Sequence, residues 1–263
     1  MGHAVTLVLT HPFDPTADYV VSELNRRGAP VFRCDPGEFP QRLSVAARLD
    51  GTGAGWHGSL RLPEREVALS EIGCAYYRRP TVFDMPPGMG DQVRRWAASE
   101  ARMGLGGVLS ALPRWLNHPA AIAAAEYKPV QLAHARSCGL AVPATIVTND
   151  PGEAAKFVAE AGRAICKPFT ATGIIEDETH RVVYTTTVAV GDIDESIRLT
   201  AHLLQAWVPK QYEVRLTVVD EVFFATRIDA DGDAPPWTGA PTTPRWPTPP
   251  LTYWRRCGAA CRR

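Results

Sequence analysis

The strongest constraint on what this chain can fold into is a five-residue run, Ala164-Ile165-Cys166-Lys167-Pro168. Proline fixes its own φ and pushes the residue before it toward extended backbone, so the run reads as a short apolar strand ending in a lysine. After it come a loop containing Thr170, Thr172 and Gly173, then a β-branched run from Val182 to Val188. The expectation is a strand that delivers an ammonium to a cavity, a mobile loop over residues 170–187, and a returning strand. Tyr127-Lys128-Pro129 offers a second lysine of the same kind. Proline there implies a new helix with Lys128 at its start, where backbone N–H groups and an ammonium can share one anion. Further on, Gln205-Ala206-Trp207-Val208-Pro209 reads as a hinge strand, and Glu213-Val214-Arg215 and Arg227 fall on a predicted hairpin. Together these features point to a nucleotide-phosphate site.

The use of basic residues supports that reading. There are 24 arginines but only four lysines, at 128, 156, 167 and 210, and three of the four fall beside the proposed site. A lysine is a compact, flexible point charge suited to phosphate, whereas arginine prefers a planar fork.

Residues 5–10 read as a strand, followed by a helix capped by Asp14 or Thr16 and stopped at Gly28, then a second strand over 30–35. That is a β-α-β unit with parallel strands. A dinucleotide fingerprint should follow the first strand, but the turn is His11-Pro12-Phe13-Asp14, with no glycine to admit a pyrophosphate. Gly51-Thr52-Gly53-Ala54-Gly55 lacks the lysine of a P-loop and precedes a hairpin pattern, so it reads as a flexible turn. Residues 72–77 form an apolar strand running into Arg78-Arg79-Pro80, whose arginines are either a carboxylate-binding edge or solvated strand-end charges. A helix over 91–112 should turn Val93, Trp96, Met103, Val108 and Leu112 inward, and residues 115–119 form a short strand leaving the first domain. Further expected elements are helices from 120 to 138, a strand over 142–147, a helix capped by Asn149 or Asp150 and closed by Gly162, and a helix running from Asp192 or Asp194 to His202. Leu204 is expected to open another sheet.

Composition excludes several classes. Net charge is zero with pI near 7, so the chain lacks the electrostatic footprint of a DNA or RNA binder. The apolar start is too short to span a membrane and lacks a signal peptide's basic start and cleavage site, which points to a cytoplasmic protein. The six cysteines, at 34, 74, 138, 166, 257 and 261, are read as reduced thiols. Cys257 and Cys261 have a metal-like spacing with no partner pair nearby.

Taken in order, Lys128-Pro-Val-Gln131-Leu, Gly139-Leu-Ala-Val-Pro143-Ala-Thr145, Cys166-Lys167-Pro168, Gln205-Ala-Trp207-Val208 and Glu213-Val-Arg215 resemble the ATP-grasp ligases. The likeness is to those that glutamylate a ribosomal protein and, more closely, to the microviridin-type (graspetide) peptide maturases. Tyr77-Arg-Arg-Pro80 and Trp115-Leu-Asn-His-Pro119 look like the maturases' own pre-ATP-grasp domain. The likeness spans about residues 5–230. It implies an α/β (α+β) fold: a Rossmann-like pre-ATP-grasp domain over 1–118, then an incomplete ATP-grasp fold. The latter comprises a central or lid part over 119–203 and the start of a C-terminal part over 204–230, with an irregular tail over 231–263.

The implied activity is ATP-dependent formation of ω-esters or ω-amides on a ribosomally made precursor peptide with a leader and an acidic, Thr-rich core. By likeness, Lys128 and Lys167 hold phosphates, and Gln205, Trp207 and Val208 hold adenine. Arg215 and Arg227 face the acyl phosphate or substrate carboxylate, and Arg78, Arg79, Lys210 and Glu213 contact the substrate. The resemblance leaves a homodimer open. Each residue also has a plainer reading: Lys167 as a solvated strand end, Trp207 as core, Arg215 as a cross-strand partner of Glu213.

The sequence departs from the family at its C-terminal end. The resemblance implies two Mg²⁺ ions bound by an Asp and a Glu-x-Asn, yet there is no glutamate after Glu221 and no asparagine after Asn149. Residues 231–263 instead carry many prolines, which forbid a central strand or long helix. No metal-ligand set is therefore assigned, the tail reads as a truncation or a frame-shift, and activity is expected to be weak. Two other readings stand beside this one: a non-catalytic nucleotide- or leader-peptide-binding module, and an unrelated α/β sugar-nucleotide or dinucleotide enzyme.

Overall fold

A computed structural model of the chain describes residues 4–51, 55–170, 173–176, 179–182 and 184–229. The chain divides into two compact units between Ala124 and Ala125.

The first unit opens with strand β1 (Val5–Leu9), helix α1 (Pro15–Arg26) and strand β2 (Val31–Cys34). An antiparallel meander follows: β3 (Ser44–Arg48), β4 (His57–Leu62) and β5 (Arg65–Ala68). Then come β6 (Ile72–Tyr77), α2 (Asp91–Ser110), β7 (Trp115–Leu116) and α3 (Pro119–Ala125). The main sheet has the order β2-β1-β6-β7 with every pair parallel, as the β-α-β pattern predicts. Leu7, Val8 and Leu9 of β1 are all buried, as expected of a central parallel strand covered on both faces. The core joins Leu7, Leu9 and Phe32 of this sheet to Leu60 and Val67 of the meander and to Leu105 and Leu109 of α2.

The loop after β1 is organised by Asp14. Its carboxylate caps α1 by accepting from the Thr16 and Ala17 amides at 3.1 and 3.3 Å, and accepts from the Thr10 hydroxyl at 2.8 Å. Arg78, at the end of β6, places its Nε 3.4 Å from the same carboxylate. The amides that greet a phosphate in a dinucleotide fold are thus taken by the chain's own side chain, consistent with the missing glycine fingerprint.

The second unit contains α4 (Lys128–Ser137), β8 (Thr145–Thr148), α5 (Pro151–Ala161), β9 (Ala164–Lys167), β10 (Gly173–Glu176), β11 (Thr179–Val182), β12 (Thr186–Val188), β13 (His202–Ala206), β14 (Glu213–Val219) and β15 (Val222–Ile228). Its main sheet is antiparallel with the order β12-β9-β13-β8, while β10-β11 and β14-β15 are two-stranded hairpins. Helix α5 starts at Asp150, whose carboxylate accepts from the Gly152 and Glu153 amides, and ends at Gly162 with φ of +68°. Ala154 and Val158 on its buried face pack with Ala164 and Leu204 of the sheet and with Ile197.

Several expectations are corrected. Leu204 does not open another sheet: β13 pairs with both β8 and β9 and completes theirs, because its apolar residues cover α5. The helix expected from 192 or 194 to 202 is two short 3₁₀ turns, Val190–Asp192 and Glu195–Leu199, and His202 lies in β13. The loop expected after Lys167 contains the β10-β11 hairpin, and β12 is separate from β11. Helix α2 presents Ala101, Leu105 and Leu109 to the core, leaving Val93, Trp96 and Met103 exposed. Trp96 lies nine residues from Leu105, about two and a half turns, and so faces the opposite side. The meander strand β3 was not anticipated. Cys34, Cys74, Cys138 and Cys166 are free thiols. The expectations for Cys257, Cys261 and the whole of 231–263 fall outside the described residues. Among those described, no helix is long and apolar enough to cross a membrane.

Burial pushes the Asp14 carboxyl up, but the hydrogen bonds from Thr10, Ala17 and Thr16 and the Arg78 charge outweigh it and hold it below its ordinary value of 3.8. A depressed folded-state value means that this stabilisation is full above the unfolded value and drains away as pH falls through the folded one. Asp14→Ala should therefore cost about 1–2 kcal/mol at neutral pH. The gap from the parent should narrow in acid, as urea unfolding at neutral pH and below the ordinary carboxylate value will show.

Candidate nucleotide-binding site

Successive residues of a strand face opposite sides, and residues directly opposite on neighbouring strands share a side. Gln205 lies opposite both Ile165 and Thr145, and Leu203 lies opposite Lys167. One face of the sheet therefore carries Thr145, Ile165, Lys167, Leu203 and Gln205. The other carries Ile146, Ala164, Cys166 and Leu204, which pack in the α5 core. The alternation puts Lys167 and Gln205 on the face away from the core helix.

A cavity of about 390 Å³ opens on that face. It is lined by Ile165 and Lys167 of β9, Tyr184 and Thr185 just before β12, residues 205–208 at and beyond the end of β13, and Lys210 and Glu213. The lining combines apolar walls with a few polar groups, as small-molecule sites do.

Gln205 is buried and donates its amide Nε2 to the Thr145 hydroxyl at 2.9 Å. Ala206 donates its amide to Ala144 at 2.8 Å, and Trp207 donates its own to the Arg163 carbonyl at 2.9 Å. The Arg163 guanidinium lies over the Trp207 indole, 4.0 Å from the ring centroid. The hinge backbone is thereby fixed on one side by the β8 lead-in and on the other by the turn after α5. Lys210 is bonded to the carboxylate of Glu213, three residues on. Lys167 makes no ion pair among the described residues, so it is the uncompensated cation of the lining. Burial pushes the neighbouring Cys166 thiol up, and this side chain faces the core.

The sequence-proposed site residues fall into four groups. Lys167, Gln205, Trp207, Val208, Lys210 and Glu213 come together around the cavity. Lys128, at the first turn of α4, does not line it; its ammonium donates to the carbonyl of Phe169, two residues beyond Lys167. Arg215 and Arg227 lie on opposite faces of the β14-β15 hairpin, since Arg215 is opposite Thr226 while Arg227 is opposite Val214. Arg227 sits 4.5 Å over the Tyr212 ring and bonds Asp229 at 2.8 Å. The plainer reading of Arg215 as a cross-strand partner of Glu213 is corrected, because both lie on β14 and Glu213 pairs with Lys210. In the first unit, Arg78 engages Asp14 with its buried Nε otherwise unbonded, and the Arg79 side chain is exposed.

Sequence reasoning missed Ile165, Tyr184, Thr185 and Thr145 as parts of the site. The signal for Ile165 and Thr145 was available in the period-2 pattern once register was known. Tyr184 and Thr185 had no such signal, because their run was read as one continuous strand.

Among the described residues, no three His, Cys, Asp or Glu side chains gather as a metal site. The described residues do not gather the ligand set that the resemblance implies for Mg²⁺.

A parallel α/β unit followed by an antiparallel sheet with a lysine-lined cavity beside a hinge strand defines the fold of an ATP-grasp ligase: a pre-ATP-grasp domain followed by part of an ATP-grasp fold. Residues 5–123 match the family of MvdD pre-ATP grasp domains, and both units share their fold with RiPP ATP-grasp ligases. Among solved structures, the chain is similar to the macrocyclase MdnC of Microcystis aeruginosa MRC, crystallised with precursor peptide MdnA. Identity is 26% and the TM-score 0.79, covering 86% of this chain and 75% of that one. It is similar to a RiPP-associated ATP-grasp ligase of Chryseobacterium gregarium in complex with ADP and a leader and core peptide. There identity is 27% and the TM-score 0.81, covering 88% and 71%. The macrocyclase MdnB of Microcystis aeruginosa MRC is 29% identical with a TM-score of 0.73, covering 86% and 75%. No curated protein matches the sequence.

Thr145→Val removes the acceptor of the buried Gln205 amide, which should cost about 1–3 kcal/mol in the second unit. Urea unfolding of the variant against the parent checks this.

Proposed function

We propose that this chain is an ATP-dependent ligase of the graspetide type. It activates side-chain carboxylates of a ribosomally made precursor peptide and joins them to a hydroxyl or amine of the same peptide as ω-esters or ω-amides. The observation that carries the reading is the meeting of Lys167 with residues 205–208 around one cavity.

In this reading Gln205, Trp207 and Val208 hold adenine, and Lys167 holds a phosphate. Lys128, tied to the chain just beyond Lys167, holds a second phosphate when nucleotide enters. The nucleotide, once bound, supplies the phosphoryl group that turns a carboxylate into an acyl phosphate. A carboxylate meeting a polyphosphate brings like charges together, so fixed cations are needed in advance. At 4 Å such a pair is worth ~4 kcal/mol at an effective dielectric near 20. Segment 170–187 excludes water from the hydrolysable intermediate. Arg215 and Arg227 act on the substrate carboxylate or acyl phosphate from β14 and β15. Arg78, Arg79, Lys210 and Glu213 contact the peptide. The protein works in the cytoplasm, as a monomer or a homodimer.

Support for the peptide partner comes from the relatives: one was crystallised with a precursor peptide, another with ADP and a leader and core peptide. A second reading is a module that binds nucleotide or leader peptide without turnover. The observation favouring it is that, among the described residues, no three His, Cys, Asp or Glu side chains gather as a metal site.

Two experiments test this. Calorimetric titration with ADP should give binding to the parent chain. Because a hydrogen bond to a charged group contributes ~1.5–3 kcal/mol, Lys167→Ala should weaken it about 10- to 100-fold. No binding by the parent overturns the reading. Incubation with ATP, Mg²⁺ and an acidic, Thr-rich precursor should give slow loss of water from the peptide by mass. Peptide binding with unchanged mass selects the binding module instead.

A further inference from the structure

We infer that Arg163 is the positioning residue for the hinge, setting the orientation of Trp207 and through it the preference of the cavity for one purine base over another. This deepens the nucleotide reading given above and rests on it.

The inference stands on two contacts from one residue. Arg163 sits in the turn between α5 and β9, immediately after Gly162, whose φ of +68° swings the chain out of the helix. In that turn the Arg163 carbonyl accepts the Trp207 amide at 2.9 Å, and its guanidinium lies 4.0 Å from the centroid of the Trp207 ring. The carbonyl commits the amide of Trp207, so a base entering the cavity must be read by other groups of residues 205–208. The guanidinium holds the indole in one orientation against the cavity wall, because a planar cation is attracted to the face of the ring and loses that attraction when the ring turns. Arg163 does not line the cavity itself; it acts through a residue that does.

The two contacts separate experimentally. Replacing the side chain leaves the carbonyl in place, so the backbone of the hinge keeps its bond while the indole loses its cation. Base recognition depends on a fixed shape and a fixed hydrogen-bonding edge, and loosening one wall harms the preferred base more than the poorly fitting one.

The test uses the full chain and measures ADP and GDP binding by calorimetry for the parent, Arg163→Ala, Arg163→Lys, Trp207→Leu and the Arg163→Ala/Trp207→Leu double variant. An exposed cation–ring contact corresponds to about a two- to fivefold change in affinity. Arg163→Ala should weaken ADP by that factor and GDP by less, narrowing the ratio between them, and Arg163→Lys should recover part of the loss. In the Trp207→Leu background, Arg163→Ala should change nothing further, because its effect runs through the ring. If the parent binds ADP and Arg163→Ala leaves both affinities and their ratio unchanged, the inference is overturned while the nucleotide reading stands. Equal losses for both nucleotides, or a full additional loss in the Trp207→Leu background, also overturn it by marking a general structural role. If the parent binds neither nucleotide, the nucleotide reading itself fails. Should Arg163→Ala not fold, Arg163→Gln, which keeps a planar group without the charge, answers the same question.

Discussion

The second unit depends on the double pairing of β13. It is hydrogen-bonded to β8 on one side and β9 on the other, and its Leu204 sits in the α5 core. Side chains alternate along a strand, so fixing Leu204 inward fixes Gln205 outward. The same register sets Lys167 opposite Leu203 and Ile165 opposite Gln205. A slip of one residue in β13 would send Gln205 into the apolar core and Leu204 into the cavity, a change that burial of an unpaired polar group forbids. Core packing and site assembly are thus two outcomes of one register.

Helix ends do comparable work with small means. Asp14 and Asp150 each cap a helix with a carboxylate, and in each case proline occupies the first turn, so the start of the helix is set by local chemistry. In the first unit this cap also removes the amides that would welcome a phosphate, and the Arg78 charge is drawn onto the same carboxylate. The cavity of the candidate site lies in the second unit, beside a strand end, and one of about 370 Å³ lies in the first, where Arg33, Arg42 and Arg65 share its lining with Asp35, Glu38 and Glu64.

Much of this was legible beforehand, for definable reasons. The β-α-β opening, both aspartate caps, the proline-started helix at Lys128 and the strand ending at Lys167 rest on neighbouring residues, and local rules reach them. What failed was long-range. Leu204 and His202 looked like a new start, because nothing nearby in sequence reveals that β13 inserts between β8 and β9. The face of α2 was read in part: Val108 and Leu112 do pack against the core, but Val93, Trp96 and Met103 do not, because the core selected Ala101, Leu105 and Leu109 at steps of four. Lys167, Gln205, Trp207 and Val208, proposed from their types and order, line one cavity. The contact of Arg163 with Trp207 spans forty-four residues and shows only when β9 and β13 lie side by side.

The bond between Lys210 and Glu213 has a consequence for how a polyanion arrives. With that ammonium already matched by a carboxylate, Lys167 is the charge of the described lining left to attract an anion, and a chain of zero net charge adds little field beyond it. Capture is then decided at close quarters by shape and hydration, so encounter rates should respond only faintly to ionic strength while residence times carry the selectivity.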